Sequence, residues 1–437
     1  MKDMKGIILS ATLFIIVILS PMAVLLFATH PPARDYWTEF SVALGYAGLA
    51  LMGFQLILTA RIKWIVRAWG ENVIYKMHKI MSLFAVVAIV AHPVILFIAD
   101  PGKLALLNIF DAPWRARFAS LSTYAFLALI VVTLFKDKLN VRYERWHFLH
   151  ISLAVVAIGS GLLHAFAWGF YLETPLKHQL WIALILLWFT LVVYTRVIRP
   201  ALSSRKPWVV TSTRRERGNC LTLVMKPEGH AGVRFMPGQF GLLTAFASPF
   251  RLTAHPFAFS SSAERYPDVE MSVKQRGDFT EKLGTLSPGD KVFIEGPFGV
   301  YTLTESPALH VFIAGGIGIT PVMSILRTMA DREDSRPVLL IYCVTDWESA
   351  TFREELIAMT VRSEFTVLFL PEHPTAQWHG ETGRIDVEFL KQALPAGVEN
   401  HRYFISGPEE MINEVEKMLS ALNVPLENYH ADKYSYV

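Results

Sequence analysis

Six long apolar runs fill the first 200 positions, at about 7–28, 38–60, 77–98, 118–135, 147–169 and 179–197. Crossing ~30 Å of hydrocarbon takes about 20 residues, so each run predicts a membrane-spanning helix. From about residue 207 the pattern changes to short alternating stretches broken by turns, including Leu221–Met225 and Val269–Val273. Such stretches predict a small antiparallel β-barrel over 207–304, with Gly238 and Gln239 in one of its turns. Apolar runs then alternate with one-faced helical patterns. Strands are expected at 309–314, 338–344, 365–370 and 402–405, and helices at 322–330, 349–359, 386–393 and 408–421. That alternation predicts a doubly wound α/β domain over 305–437. The fold class expected is a multidomain membrane protein, with a six-helix transmembrane bundle over 1–200 ahead of the two soluble domains.

Composition agrees with the pattern. Of 437 residues, 52% are hydrophobic, and a mean hydropathy of +0.35 is too high for an ordinary soluble enzyme. A net charge of +3 gives no case for a nucleic-acid partner. The placement of the basic residues is more informative. Lys2 and Lys5 precede the first run, Arg61, Lys63, Arg67, Lys76 and Lys79 lie around the second loop, and Lys136, Lys138, Arg142 and Arg145 precede the fifth run. Arg196, Arg199, Arg205 and Lys206 follow the sixth, while the opposite loops also carry Arg34, Arg115 and Arg117 but are less basic overall. This bias puts both termini and the soluble domains on the cytoplasmic side of a cell membrane. The first run is longer than the core of a usual signal peptide, so it is expected to stay as an anchor. With only Cys220 and Cys343, the chain offers neither a four-cysteine cluster site nor a disulfide framework. Any electron carrier must be an organic cofactor or be held by histidine.

His78 and His92 stand fourteen residues apart in the third run, and His150 and His164 repeat that spacing in the fifth. Fourteen residues advance a helix about 21 Å and return to within about 40° of the same face. Both runs cross in the same direction, so His78 and His150 share one depth and His92 and His164 another. Two metal centres, each with one imidazole per helix, would then stack across the membrane. Bis-imidazole ligation without an open position suits haem, whose porphyrin also needs a wide apolar slot. A zinc ion with two histidines would lack ligands. The plain alternative is that the histidines meet the membrane interface. His147 is a rival to His150, but its seventeen-residue spacing from His164 turns it about 100° away. Lys79, Arg142 and Arg145 are candidates for inner propionates and Arg115 or Arg117 for outer ones, or they bind phospholipid. His178 is expected at the interface.

Gly315–Pro321 reads GGIGITP and joins a strand to a helix. Glycines let backbone approach a pyrophosphate, and a helix start offers unpaired N–H groups, so Gly315, Gly316, Gly318 and Thr320 are nucleotide-binding candidates. The run departs from GxGxxG, and a structural strand–helix turn is the alternative reading.

HPFAFSS (His255–Ser261), KQRGDFTEKL (Lys274–Leu283), GPFG (Gly296–Gly299), GGIGITPVMS (Gly315–Ser324) and SGP (Ser406–Pro408) follow one another in an order that resembles the ferric reductase and NADPH oxidase superfamily. The resemblance covers nearly the whole chain. It implies a ferric-reductase-like transmembrane domain with two b-type haems, followed by ferredoxin-reductase-type domains for FAD and a nicotinamide nucleotide. His255, Pro256, Phe257, Ser260 and Ser261 would line the flavin ring and ribityl chain. Lys274, Gly277, Phe279 and Thr280 would lie at the FAD pyrophosphate, with Arg276 near in charge. The alternative for that stretch is a charged edge strand entering a short helix. Gly407, Pro408 and Ser406 would face the nicotinamide, Ser406 standing where many relatives have cysteine. Tyr434 corresponds to the family's flavin-shielding aromatic, although Ser435, Tyr436 and Val437 follow it here.

The expected activity is transfer of electrons from cytoplasmic NADPH or NADH through FAD and the haems to an acceptor outside, oxygen or a ferric chelate. No obligatory protein partner is evident. Supplying electrons to an external redox protein is one alternative. A six-span, nucleotide-regulated channel or transporter is another, its histidines forming a gate or proton path. Asp346 could bind an adenosine ribose or cap the following helix, and Arg353 could meet a 2′-phosphate; the family resemblance favours NADPH.

Overall fold

The computed structural model describes residues 4–26, 32–136, 138–141, 143–246, 248–250, 254–303, 308–376 and 378–433. It divides at Pro200 into two compact units.

The first unit is helical. Its helices are α1 (Met4–Leu26), α2 (Tyr36–Thr59), α3 (Lys63–Trp69), α4 (Glu71–Ala99), α5 (Trp114–Leu134), α6 (Tyr143–Trp168) and α7 (Pro175–Val193). A π-turn over Tyr194–Ile198 carries α7 into α8 (Arg199–Ser204). Among the described residues, six helices are long and apolar enough to cross a membrane. The short α3 was not anticipated. Its Trp69 indole N–H donates to Ser10 Oγ of α1 at 2.6 Å.

Small residues on α2 set the packing. A Cβ added at Gly48 would fall 2.4 Å from the Ile89 side chain of α4, and one at Gly53 only 2.0 Å from the Trp188 ring of α7. α5 and α6 pair through Ser122, whose hydroxyl donates to the Ala157 carbonyl at 2.8 Å. Tyr46, Leu49, Ala157, Trp181 and Trp188 form the centre of this core.

The second unit begins with a six-stranded antiparallel sheet. Its strands are β1 (Pro207–Glu216), β2 (Cys220–Pro227), β3 (Phe240–Thr244), β4 (His255–Ala258), β5 (Val269–Lys274) and β6 (Lys291–Phe298). They lie in the order β4-β3-β6-β1-β2-β5. The expected barrel is corrected here: among the described residues β4 and β5 form no closing ladder. The chain beyond β4 meets β5 at the bridge Phe259–Met271, where Ser260 N–H donates to the Glu270 carbonyl at 2.8 Å, and through the hydroxyls of Ser260 and Ser261. β4 is too short to pair along β5, so the sheet curls round its core of Leu223, Met225, Phe259 and Met271 without sealing. Gly238 and Gln239 do form a turn, where Gln239 Nε2 donates to the Gly299 carbonyl at 3.0 Å. The short helix α9 (Asp278–Leu283) follows β5.

Next come β7 (His310–Gly315), α10 (Ile319–Asp331), β8 (Val338–Val344), α11 (Arg353–Met359), β9 (Phe365–Pro371), α12 (Val387–Ala393), β10 (Arg402–Gly407), α13 (Glu409–Ala421) and β11 (Tyr429–Lys433). The five strands are ordered β11-β10-β7-β8-β9, and each neighbouring pair is parallel. The chain reverses direction of travel across the sheet between β7 and β10, as a doubly wound fold requires. β11 was not anticipated, because its YHADK sequence lacks a strand's apolar alternation. α11 starts later than expected because a turn over Trp347–Ser349 intervenes, and Phe352 adopts a left-handed φ of 62°.

One buried ion cluster ties this domain to the curled sheet. Arg327 of α10 bonds Glu355 at 2.6 Å and Glu270 of β5 at 3.2 Å, and donates to the Ser260 carbonyl at 2.7 Å. Burial pulls its pKa down, but Glu355 and Glu270 more than offset that and hold it raised. Arg327→Met should remove one of the three arginines that face the buried Glu270, leaving Arg214 at 3.3 Å and Arg265 at 3.7 Å, and lower soluble-half stability by about 1–3 kcal/mol, read by thermal unfolding of the full chain. Gly53→Val should overpack the α2–α7 contact and destabilise the bundle by about 1–3 kcal/mol, visible as a lower Tm in detergent.

Candidate functional site

The structure brings His78 of α4 beside His150 of α6. The His78 and His150 ring centres are 6.5 Å apart. Two imidazoles binding one metal through nitrogens at about 2 Å place their ring centres about 6 Å apart, and the observed separation is close to that value. His92 and His164 line one cavity of about 1460 Å³ including its mouth, with Gly45, Leu49 and Met52 of α2 and Ala119 and Thr123 of α5 on its walls. A side chain at Gly45 would meet the His92 ring at 3.1 Å, so glycine there leaves the imidazole its place.

Hydrogen bonds orient these rings. His92 Nδ1 lies 2.9 Å from the Ser41 carbonyl, which can only accept, so Nδ1 carries the proton. His164 Nδ1 faces the Arg115 carbonyl at 3.4 Å, a longer contact with the same polarity. His150 Nδ1 lies 3.0 Å from Thr133 Oγ1. The Thr133 hydroxyl hydrogen is already given to the Leu129 carbonyl at 2.7 Å, so Thr133 accepts from His150. All three rings therefore keep the Nε2 lone pair for a ligand, as imidazoles prepared for metal do. His147 instead stacks on Trp146, and His178 packs edge-on against Phe166. Arg117 is engaged by the Ala112 and Phe110 carbonyls. Arg142 lies outside the described residues.

A polar cluster that reaches the cavity lining through Arg34 and Tyr171 was missed in the sequence. Arg34 donates to Tyr171 Oη at 2.7 Å and to Glu39 at 3.2 Å, and Tyr171 donates to Glu39. Burial and then Glu39 push the Tyr171 hydroxyl up to about 12, so it stays a donor at neutral pH. Only the spacing of Arg34 and Glu39 hinted at this; their bond to Tyr171 spans 132 residues or more.

In the second unit, Gly315 ends β7 and Gly407 ends β10, side by side at the point where strand order reverses. A Cβ at Gly318 would lie 2.4 Å from the Ser406 carbonyl. Glycine there lets the two strand ends close together, and the Ser406 hydroxyl donates to the Gly318 carbonyl. Gly316 has φ 52° and open space where a side chain would point. The Thr320 hydroxyl donates to the Ile317 carbonyl at 2.9 Å, so it serves the loop itself. Pro408 precedes α13. Tyr434 lies outside the described residues, just beyond Lys433, which pairs with Gly407.

The flavin candidates separate into two groups. The His255 ring stacks on Phe279 at 3.9 Å, and Phe257 lies nearly parallel to Phe279 at 6.3 Å, giving an aromatic surface beside Pro256. Gly277 has φ 108°, and a Cβ placed there would meet nothing within 4 Å, while the Thr280 hydroxyl bonds the Arg276 and Gly277 backbone. Lys274 is exposed at the end of β5. Ser260 and Ser261 are buried instead. Ser272 donates to Ser260 Oγ at 2.8 Å, and Glu270 N–H to Ser261 Oγ at 3.0 Å.

Asp346 caps the turn after β8, accepting Ser349 N–H at 2.8 Å. Arg353 lies over the Trp347 ring at 4.6 Å, donates to the Trp347 carbonyl at 2.9 Å, and pairs with Glu348 and Glu354 at 3.3 and 3.2 Å.

Residues 44–161 match the family described as ferric reductase like transmembrane component, and residues 312–417 match the oxidoreductase NAD-binding domain. Among curated relatives, the NADH-cytochrome b5 reductase 1 of Laccaria bicolor is 30% identical over 166 residues, covering 36% of this chain and 54% of the relative. The Flavohemoprotein of Bacillus subtilis is 27% identical over 238 residues, covering 52% and 59%. The chain thus spans a little over half the length of these relatives. Among solved structures, a flavohemoglobin from Malassezia yamatoensis with bound FAD and heme aligns over 91% of this chain and 96% of that one, at 17% identity and a TM-score of 0.50. The flavohem-like FAD/NAD binding domain of nitric oxide dioxygenase from Vibrio cholerae aligns over 52% and 98%, at 23% identity and a TM-score of 0.47. With the paired histidines in the bundle and the glycine loop at the switch point, the family matches identify the chain as a ferric-reductase-like transmembrane domain fused to an FAD- and NAD(P)-binding oxidoreductase domain, the architecture of the ferric reductase and NADPH oxidase superfamily.

Proposed function

We propose that this chain is a transmembrane oxidoreductase that takes electrons from a nicotinamide nucleotide on the cytoplasmic face and delivers them, through FAD and two b-type haems, to oxygen or a ferric chelate outside. The observation that carries the reading is the meeting of His78 and His150 at 6.5 Å, with His92 and His164 on a shared cavity at the other level. FAD supplies the conversion between a two-electron donor and one-electron carriers. His78 and His150 would hold the inner haem and His92 and His164 the outer one. His255, Phe257 and Phe279 would face the flavin ring, with Gly277 and Lys274 toward its pyrophosphate. Gly315, Gly316, Gly318, Gly407 and Pro408 would let the nucleotide backbone approach, and Ser406 and Tyr434 would border the nicotinamide. The basic residues flanking the helices favour a cytoplasmic soluble half.

The end of β8 favours NADH over NADPH. A 2′-phosphate needs an uncommitted cation, and Arg353 is occupied by Glu348, Glu354 and the Trp347 carbonyl. Arg217 is likewise paired with Glu348 and Glu354. One oxygen of Asp346 caps Ser349, and the other would be the one to bind a free ribose hydroxyl and repel phosphate.

In sealed vesicles given nucleotide on the soluble-domain face, reduction of an outside iron chelate or superoxide formation is expected, and superoxide dismutase separates the two. His164→Leu should reduce the haem count from two to one and abolish delivery outside, while reduction of ferricyanide on the nucleotide side continues. Two haems retained in that variant would refute the outer ligation. In the same ferricyanide assay kcat/KM should be higher for NADH than for NADPH, and Asp346→Asn should narrow the gap about tenfold, the scale of one charged contact.

A further inference from the structure

The antiparallel neighbours of α4 and α6 partner their histidines in a regular way. α5 serves α6 at both levels, with Thr133 at His150 and the Arg115 carbonyl at His164. α2 serves α4 at His92 through Ser41. At His78 the set is incomplete: its Nδ1 is buried and makes no hydrogen bond among the described residues. The same holds for both amide atoms of Gln55 on α2.

Register brings these two together. Contacts of Ser41 and Gly45 with His92, and of Gly48 with Ala88 and Ile89, mark the stripe of α2 that faces α4. Steps of four and three along that stripe lead from 41 through 45, 48 and 52 to 55, a spacing that keeps one helical face. The helices run antiparallel, so fourteen residues on from Ser41 corresponds to fourteen back from His92, which is His78. Carried seven residues from Gly48, the same register reaches 81–82. Gln55 therefore stands opposite the turn of α4 that bears His78, as Ser41 stands opposite His92.

We propose that Gln55 is the positioning residue of the inner site: in the haem-loaded protein its amide oxygen accepts the Nδ1–H of His78, directly or through one buried water. This rests on the reading of His78 and His150 as haem ligands. An acceptor on Nδ1 fixes the ring's tautomer and makes Nε2 a stronger donor, which favours the ferric iron. α2 and α5 then each supply the outer-sphere partners for one histidine helix.

Potentiometric titration of the purified full chain tests this, with electron paramagnetic resonance separating the two haems. Gln55→Leu should keep two haems and shift the ferric–ferrous balance of one by about tenfold, about 59 mV toward easier reduction, leaving the other in place. Gln55→Glu keeps an acceptor and should leave that haem at or below its original potential. The one-haem His164→Leu variant keeps only the inner site, so its remaining potential identifies which haem Gln55→Leu moves. Should Gln55→Leu fail to accumulate, Gln55→Met removes the amide while keeping an unbranched side chain. Unchanged potentials in the Leu or Met variant, or equal shifts of both haems, would overturn the role of Gln55 alone. Wild-type protein lacking haem would overturn the functional reading and this inference with it.

Discussion

An imidazole inside an apolar bundle has no water to satisfy it, and this requirement organises the membrane half. Each ring has two nitrogens. Where a backbone carbonyl or an already donating hydroxyl accepts from Nδ1–H, Nε2 is left with a lone pair and needs its own partner. The Ser41 and Arg115 carbonyls and the Thr133 hydroxyl accept that hydrogen bond from His92, His164 and His150. His92 and His164 border one cavity, and His150 lies beside His78. Polar residues at such positions are costly in hydrocarbon unless they serve a site, and here they converge in pairs.

Close approach of the helices makes this possible. Gly45 leaves room for the His92 ring, and Gly48 and Gly53 let α2 sit against Ile89 and Trp188. Larger side chains would push α4 and α7 away and take Ser41 out of reach of His92. Packing and chemistry in the bundle are thus one constraint, carried by the same face of α2.

The soluble half uses backbone proximity for a different end. Gly318 lies so close to the Ser406 carbonyl that only hydrogen fits there, and Gly407 rests against Gly315. The two strand ends together form the crevice where a doubly wound sheet binds its ligand. The ion cluster of Arg327, Glu270 and Glu355 joins that sheet to the strand leading into Gly277. Aromatic surfaces at His255 and Phe279 and the open backbone at Gly277 therefore belong to the same compact unit as the nucleotide loop.

Much of this was legible along the chain. Apolar length determined six spans, the fourteen-residue spacing determined which histidines share a face, and strand–helix alternation determined the doubly wound domain, because each depends on periodicity within one segment. Other features depend on which segments become neighbours. Arg34 meets Tyr171, Arg327 meets Glu270, and Arg353 is neutralised by glutamates that also hold Arg217, across separations no local pattern encodes. Sheet closure was misjudged for the same reason: alternation marks strands, but whether β4 can pair along β5 depends on β4's length and the curl of the sheet between them. β11 has little apolar alternation and is a strand because β10 offers it a parallel edge. The sequence determined the elements and the faces of the histidines; tertiary structure alone decided their hydrogen-bond partners, because those bonds form only after distant helices and strands have packed.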